Sequence, residues 1–168
     1  CSSDLNGGAG VDTIIGGTAA DTISGGAGND VLTGSGGNDT INGDDGDDAI
    51  TATTAGNYTV TGGAGNDTLD LGGTATQLDS FDGGDGTDTL ILNNTSVTAI
   101  NALSVSNINT FNAGLVGVER LDFGSTLAQA VDLGRFDNIS DIIIGGGNAG
   151  NTATAISGLS ATNNVEIQ

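Results

Sequence analysis

Large apolar residues return every nine positions through the first third of the chain. They form the column Ile14, Ile23, Leu32, Ile41 and Ile50. Each lies in a segment of about four β-forming residues, which is too short for a helix and alternates between apolar and polar positions. Glycine-rich stretches between these segments supply turns in which the backbone adopts positive φ. The pattern therefore predicts one short strand and one turn for every nine residues.

The clearest unit is Gly25–Thr33, which reads G-G-x-G-x-D-x-U-x, where U is a large apolar residue. Five consecutive copies run from Gly7 to Thr51, and the sixth positions hold Asp12, Asp21, Asp30, Asp39 and Asp48. One strand and turn cannot enclose a core. We therefore expect two units to form one coil of about 18 residues, with coils stacked about 4.7–4.9 Å apart. The chain is predicted to be a repeat solenoid.

Stacking would bring the carboxylates of every second unit close together. At about 5 Å, each pair would repel by about 3 kcal/mol at an effective dielectric constant of about 20. Burying one apolar side chain per unit gains only about 1.5–3 kcal/mol, so the stack is expected to require a cation. Ca²⁺ fits because it takes about six to eight oxygen ligands, and glycine turns offer carbonyls beside each carboxylate. Zn²⁺ is disfavoured, because the chain has no His and one Cys.

These five tandem motifs resemble the RTX (repeats-in-toxin) calcium-binding β-roll of secreted bacterial proteins. The resemblance covers about the first half of the chain and implies an all-β, right-handed parallel β-roll or β-helix solenoid. By the same resemblance, each Ca²⁺ lies between same-side turns of successive coils, held by sixth-position carboxylates and turn carbonyls. Counting the pockets between coils along the two edges predicts roughly four to six ions, most of them on one edge. The aspartates expected to bind metal are Asp12, Asp30, Asp48, Asp67, Asp88, Asp21, Asp39 and Asp79. The other expected metal-binding residues are Gly8, Gly10, Gly25, Gly26, Ala27, Gly28, Gly43, Asp45, Gly46, Gly63, Gly65, Gly84, Gly86, Gly17, Gly34 and Gly37.

The repeat register loosens after the fifth unit. One extra residue follows at Ala52, and residues 71–73 form a three-residue insertion. Tyr58 replaces the aspartate of its unit, and we expect a packed aromatic that plugs this turn. Counting through the insertions predicts one edge with Asp12, Asp30, Asp48, Asp67 and Asp88, and another with Asp21, Asp39, Tyr58 and Asp79. The remaining turn acids, Asp44, Asp45, Asp47 and Asp85, are interpreted by default as solvated charges, with additional ligation as the alternative.

The net charge of the chain argues against several classes of function. Twenty-one acidic residues against two arginines and no lysine give a net charge of −19. This charge argues against nucleic acid and anionic membranes as partners, and no apolar run reaches membrane-spanning length. It also predicts a disordered chain when calcium is chelated. Without His or Lys there is no general base tuned near neutral pH, so the chain is not expected to be an enzyme.

Residues 92–168 differ from residues 1–91 and are predicted to form a second, calcium-poor region. They hold six of the 21 acidic residues and both arginines. The apolar residues Phe123, Leu133, Ile144, Ile156 and Ile167 recur every 10 to 12 positions, which predicts a wider coil of about 22 residues continuing the solenoid. The phrase Val118–Leu121 after calcium repeats is similar to segments of RTX-bearing bacterial surface-layer (S-layer) proteins.

The ends of the sequence suggest a longer native chain. Residues 3–6 resemble the tail of a preceding repeat, with Leu5 in the apolar position, and Gln168 follows a strand-like pattern. Cys1 is interpreted as a boundary or tag remnant, with a lipidated N-terminal cysteine as the alternative. A single cysteine excludes an internal disulfide.

Two functions fit these expectations, and both place the protein outside the cell or on a bacterial surface, where calcium is abundant. The first is a calcium-binding structural module that folds on Ca²⁺ binding, within a self-assembling surface layer or another extracellular assembly. Its partners would be further copies or neighbouring domains. The alternative is a calcium-triggered folding and export module of a type I secreted enzyme or adhesin. An ice-binding solenoid is disfavoured because Val31 and Ala49 interrupt the outward threonines.

Overall fold

The computed structural model describes residues 3–52, 56–72, 79–93, 113–123, 131–132, 139–144, 156–157 and 164–167. These residues form an all-β structure of short parallel strands. The strands are β1 Asp4–Ala9, β2 Thr13–Gly17, β3 Thr22–Ala27, β4 Val31–Ser35, β5 Thr40–Asp45, β6 Ala49–Thr51, β7 Thr59–Ala64, β8 Thr68–Asp70, β9 Ser80–Asp85, β10 Thr89–Ile91, β11 Leu115–Val116, β12 Arg120–Phe123, β13 Val131–Asp132, β14 Asp141–Ile144, β15 Ile156–Ser157 and β16 Asn164–Ile167.

The strands alternate between two long parallel sheets. The odd-strand sheet has the order β1-β3-β5-β7-β9-β11, and the even-strand sheet has the order β2-β4-β6-β8-β10-β12-β14-β16. Strands β13 and β15 pair separately. Because consecutive strands lie in different sheets, the chain winds as the predicted β-solenoid, and each turn between sheets lies on one of two edges.

The register confirms the repeat length and both insertions. Asp4 pairs with Thr22, and Thr22 pairs with Thr40, one coil of 18 residues apart. The next step, from Thr40 to Thr59, spans 19 residues because of the extra residue at Ala52. The step from Thr59 to Ser80 spans 21 residues and accommodates the insertion after Asp70.

The strands extend further than the sequence predicts. The expectation was a strand of four residues followed by a glycine turn, but β3 continues through Gly25 and Gly26 to Ala27. Gly26 has φ 109° and nevertheless pairs with Gly8, and a Cβ at Gly26 would collide with the Gly8 carbonyl oxygen. Glycine therefore allows the parallel ladder to continue where the chain already bends toward the turn.

One apolar side chain per strand fills the space between the sheets. In the odd-strand sheet the buried residues include Ile23, Ile41, Val60 and Phe81, with Leu5 partly buried at the first coil. In the even-strand sheet they include Leu32, Ile50, Leu69, Leu90, Leu121 and Ile142, with Ile14 partly buried at the first coil. Leu5 pairs with Ile23, as predicted from the resemblance of residues 3–6 to a repeat tail.

A second apolar position along the even-strand sheet holds larger residues from coil to coil. Two residues after each apolar position, the chain has in succession Gly16, Gly34, Ala52, Leu71, Leu92 and Phe123. The last four of these side chains are buried. Larger apolar side chains take the place of glycine at this position, so the later coils bury more apolar surface.

The solenoid continues past the nonapeptides through the even-strand sheet. Phe123 pairs with Ile144, and Ile144 pairs with Ile167, in steps close to the predicted length of about 22 residues. Ile156 pairs with Val131 in the separate β13–β15 pair. Leu133 and Cys1 lie outside the described residues. The division at residue 91 stays a prediction.

The outward threonines are arranged differently from the sequence expectation. Val31 and Ala49 interrupt only the even-strand row that begins at Thr13. The odd-strand row Thr22, Thr40, Thr59 and Ser80 is continuous, because alternate units face opposite sides of the molecule. None of the helices in the described segments is long and apolar enough to cross a membrane.

Candidate metal centre

The sixth-position aspartates lie where each strand has turned toward the opposite sheet, and their side chains point inward. Asp67 and Asp88 have no exposed surface, and Asp30, Asp39 and Asp48 expose no more than 2%. Asp21 and Asp79 expose 5% each. A fully buried carboxylate is costly unless it is paired, hydrogen-bonded or metal-bound. The geometry around these groups therefore decides what the turns can do.

Carboxylates of the first edge are stacked in one continuous hydrogen-bonded ladder. The backbone N–H of Asp12 donates to Asp30 Oδ1 over 2.7 Å, and that of Asp30 donates to Asp48 Oδ1 over 2.8 Å. The N–H groups of Asp48 and Asp67 donate in the same way to Asp67 and Asp88, each over 2.8 Å. The predicted order along the first edge is confirmed, and we call this series the carboxylate ladder.

The second edge carries a shorter series. The N–H of Ser3 donates to Asp21 Oδ1 over 2.7 Å, and the N–H of Asp21 donates to Asp39 Oδ1 over 2.9 Å. Tyr58 occupies the next position and its N–H donates to Asp79 Oδ1 over 2.9 Å. The predicted order of the second edge is thus also confirmed, with a tyrosine where a carboxylate would continue the series.

The second oxygen of these carboxylates is buried without a hydrogen-bond partner. This holds for Oδ2 of Asp12, Asp30, Asp39, Asp48, Asp67 and Asp88. Each Oδ2 lies beside the first-position glycine of its own unit. A Cβ on Gly25, for example, would collide with Asp30 Oδ2 and lie 2.7 Å from the carbonyl oxygen of Gly43 in the next coil. Buried anionic oxygens therefore meet carbonyl oxygens in a space that only glycine leaves open.

The buried environment raises the pKa of several ladder carboxyls. Burial is the main cause for Asp39, Asp48, Asp67 and Asp88, and each is opposed by a hydrogen bond from the backbone of the preceding aspartate. The pKa of Asp67 rises to about 6, with further contributions from the charges of Asp48 and Asp88. In the metal-free coils, ionisation of these carboxyls is therefore less favourable than for an exposed aspartate.

The donor set fits a hard cation with oxygen ligands. In the described part of the chain, no three His, Cys, Asp or Glu side chains gather into a metal cluster. Carboxylates from two adjacent coils would therefore have to be completed by backbone carbonyls, which Ca²⁺ accepts and Zn²⁺ does not favour. The third-position carbonyls of Ala27 and Asp45 accept hydrogen bonds from Gly10 and Gly28, and each keeps a second lone pair.

A family model of the RTX calcium-binding nonapeptide repeat matches four successive segments, residues 4–32, 24–54, 52–78 and 76–94. Together these segments span more than half of the chain. The chain belongs to the RTX calcium-binding repeat family. Neither a curated protein nor a solved structure matches it.

The RTX glycines fall into two structural groups. Positive φ occurs at Gly8, Gly10, Gly17, Gly26, Gly28, Gly37, Gly46, Gly63, Gly65, Gly84 and Gly86. The first-position glycines Gly25, Gly34 and Gly43 instead lie against the Oδ2 atom of their own aspartate. The expected ligands lie in the C-terminal parts of the strands and in the turns that follow them. Their binding of metal stays a prediction.

Tyr58 plugs its turn, as the sequence predicts. Its side chain is 1% exposed, and its hydroxyl donates a hydrogen bond to the carbonyl oxygen of Ser35. Its ring also fills the space beside Gly34, where a Cβ would lie 2.8 Å from Tyr58 Cε1. A neutral hydroxyl thus satisfies a turn carbonyl next to Asp39 and occupies the space between two coils of the RTX solenoid.

Two features of these RTX turns were not predicted from the sequence. An outer ladder joins fifth positions: Asn29 accepts from the N–H of Asp47, Asp47 from that of Asn66, and Asn66 from that of Thr87. Asp47 is therefore a hydrogen-bonded rung rather than only a solvated charge. In addition, Glu119 accepts the N–H of Asp88 over 2.9 Å and continues the carboxylate ladder. The Asn that recurs at the fifth position of the repeats could have predicted the outer ladder. Glu119 lies outside the nonapeptides, so no motif could have predicted its role.

Proposed function

We propose that this RTX chain is a calcium-dependent structural module that folds outside the cell and contributes to a self-assembling surface layer or another extracellular assembly. The observation that carries the proposal is the row of buried Oδ2 atoms without hydrogen-bond partners on the carboxylate ladder. Calcium would supply the positive charge that these oxygens require. The chain's own groups would then supply carboxylates from adjacent coils and carbonyls from the glycine turns.

Coupling between binding and folding follows from this arrangement. Asp30 accepts a hydrogen bond from the coil before it and donates one to Asp48 in the coil after it. Its carboxylate therefore borders two inter-coil spaces, so filling one space organises a wall of the next. Such nearest-neighbour coupling gives folding that propagates along the solenoid, and the binding free energy becomes folding free energy. The net charge of −19 would keep the metal-free chain extended.

A role in assembly is supported by apolar residues on the outside of the solenoid. Ile15 and Val31 are 65% and 43% exposed, on adjacent strands of the even-strand sheet. Val11, in the neighbouring turn, is 76% exposed. These side chains would gain burial against a neighbouring copy or domain. The carboxylate pairs are accounted for by the ladder, so no catalytic role is proposed for them.

The test combines circular dichroism with light scattering. Adding millimolar calcium to the chelator-treated protein should convert a disordered spectrum into a β-sheet spectrum, and scattering should report particles larger than one chain. A β-sheet spectrum that persists in chelator would overturn calcium-dependent folding. Folding on calcium with a strictly monomeric product would overturn the assembly role and favour the export module of a secreted enzyme or adhesin.

A further inference from the structure

We propose an additional calcium site between the turn of Asp88 and the segment Gly117–Glu119, outside the nonapeptide repeats. The inference rests on the proposed calcium-binding function and extends it to a part of the chain that the family model does not match. The site would join the first coil after the repeats to the carboxylate ladder.

The first observation is that Glu119 takes the position of a ladder aspartate. Glu119 Oε2 accepts the N–H of Asp88 over 2.9 Å, just as Asp88 Oδ1 accepts the N–H of Asp67 over 2.8 Å. The backbone repeats the pattern as well. Arg120 N–H donates to the Asp88 carbonyl over 3.0 Å, and Thr89 N–H donates to the Asp67 carbonyl over 2.8 Å. Glu119 is therefore a sixth rung.

The second observation is that the Gly117 carbonyl takes the position of a first-position glycine carbonyl, although Gly117 itself has φ 61°, unlike the first-position glycines. A Cβ on Gly62 would collide with Asp67 Oδ2 and with the carbonyl oxygen of Gly83. A Cβ on Gly83 would likewise collide with Asp88 Oδ2 and with the carbonyl oxygen of Gly117. The same pair of oxygens therefore borders the same kind of space one coil further along.

The third observation concerns the burial of Asp88, not the number of acidic side chains near it. Asp88 has no exposed surface, and its Oδ2 has no hydrogen-bond partner although it lies beside this space. A buried anionic oxygen next to a second carboxylate and a carbonyl is the environment that a calcium ion stabilises.

Glutamate rather than aspartate stands here because the turn before it is shorter than in the repeats. In the repeats the carboxylate follows the first-position glycine by five residues, whereas Glu119 follows Gly117 by two. The shorter turn places its backbone differently, and the additional methylene of glutamate extends the carboxylate to the ladder. Beyond Glu119, Ser140 comes next, and its hydroxyl donates to the Glu119 carbonyl over 3.1 Å. The run of carboxylates therefore ends at Glu119, because the next position of the ladder holds the neutral Ser140.

Glu119→Gln tests the site, because glutamine keeps an oxygen acceptor for the Asp88 N–H and removes the charge. Glu166→Gln, the same change in β16, is the matched control. Native mass spectrometry with calcium should show one ion fewer for Glu119→Gln than for the original protein and the control. Calorimetric titration should show at least a tenfold loss of affinity at one site. Calcium should also protect the amides of 115–123 from hydrogen exchange in the original protein but not in Glu119→Gln.

An unchanged ion count together with unchanged protection of residues 115–123 in Glu119→Gln would overturn the additional site and leave the proposed function intact. A chain that binds no calcium in any of the three forms would overturn the proposed function itself. Circular dichroism of each form with calcium shows whether Glu119→Gln still folds, and a folded variant that lacks one ion supports the site directly.

Discussion

Replacing Asp67 by asparagine should have opposite effects with and without calcium. Asp67 is fully buried, its Oδ1 accepts the N–H of Asp48, and its Oδ2 has no hydrogen-bond partner. In the metal-free protein the charge on this group opposes folding. With calcium the same charge would hold an ion on each side. Asp67→Asn removes the charge and keeps the Oδ1 acceptor.

The magnitude follows from the raised pKa. Burial is the main cause of the rise from 3.8 to about 6. At about 1.4 kcal/mol per pH unit, ionising Asp67 at neutral pH costs the metal-free folded state about 3 kcal/mol relative to the unfolded chain. The amide of Asp67→Asn can donate to the Gly83 carbonyl, which borders the same space as Oδ2. The variant should therefore be more stable than the original protein in chelator, by up to about 3 kcal/mol.

Calcium should reverse the order. Replacing residues that only support a metal ligand costs about 10- to 100-fold in affinity, so losing a shared carboxylate should cost at least as much at the two adjacent sites. The assay is folding in chelator driven by trimethylamine N-oxide, followed by urea unfolding in calcium, both monitored by circular dichroism. Asp85→Asn, at an exposed position that is not among the expected ligands, is the control and should change the stability in chelator and the stability in calcium little.

The reasoning would be refuted if Asp67→Asn were less stable than the original protein in chelator as well as in calcium. Such a result would mean that the carboxylate is stabilised by the protein alone. Equal effects of Asp67→Asn and Asp85→Asn would refute the distinction between the ladder and the exposed acids.

Three further predictions concern other parts of the ladders. Tyr58→Asp should restore a carboxylate between Asp39 and Asp79, detected as at least one more ion by native mass spectrometry, and an unchanged ion count would contradict this. Removing the buried aromatic should also cost about 3–5 kcal/mol of stability in chelator. Asp44 has φ 74°, and its Oδ2 accepts a hydrogen bond from the Ser24 hydroxyl over 2.6 Å. Asp44→Gly and Asp44→Ala both lose that bond, but glycine alone relieves the positive φ, so Asp44→Gly should be more stable than Asp44→Ala in urea by about 1 kcal/mol. Because the folded pKa values of Asp39, Asp48, Asp67 and Asp88 are raised, metal-free stability should be highest near pH 4 and fall as pH rises through about 6, the folded pKa of Asp67. Calcium binding should release protons near pH 6, and metal-free stability that increases between pH 4.5 and 7.5 would contradict the assignment.

The nonapeptide repeat determines much of the fold, which could therefore be predicted from the sequence. Aspartates spaced by nine, with one apolar residue two positions later, predict alternating strands, an 18-residue coil and two edges. Even the insertions near Ala52 and after Asp70 could be counted correctly, because a solenoid contacts only its nearest coils and an extra residue shifts the register without changing the pairing. Family membership and the calcium chemistry follow from the same local motif.

Tertiary structure alone decided what continues the ladder beyond the motif. Glu119 lies 31 residues after Asp88 in the chain, and no spacing rule connects them, because their contact depends on how β11 and β12 pair with β9 and β10. Stacking of two coils likewise produces the hydrogen bond from the Tyr58 hydroxyl to the Ser35 carbonyl and buries the Oδ2 atoms without a hydrogen-bond partner. Sequence determines local turns and strands, whereas hydrogen bonds between coils and the burial of charge depend on groups that the chain brings together from a distance.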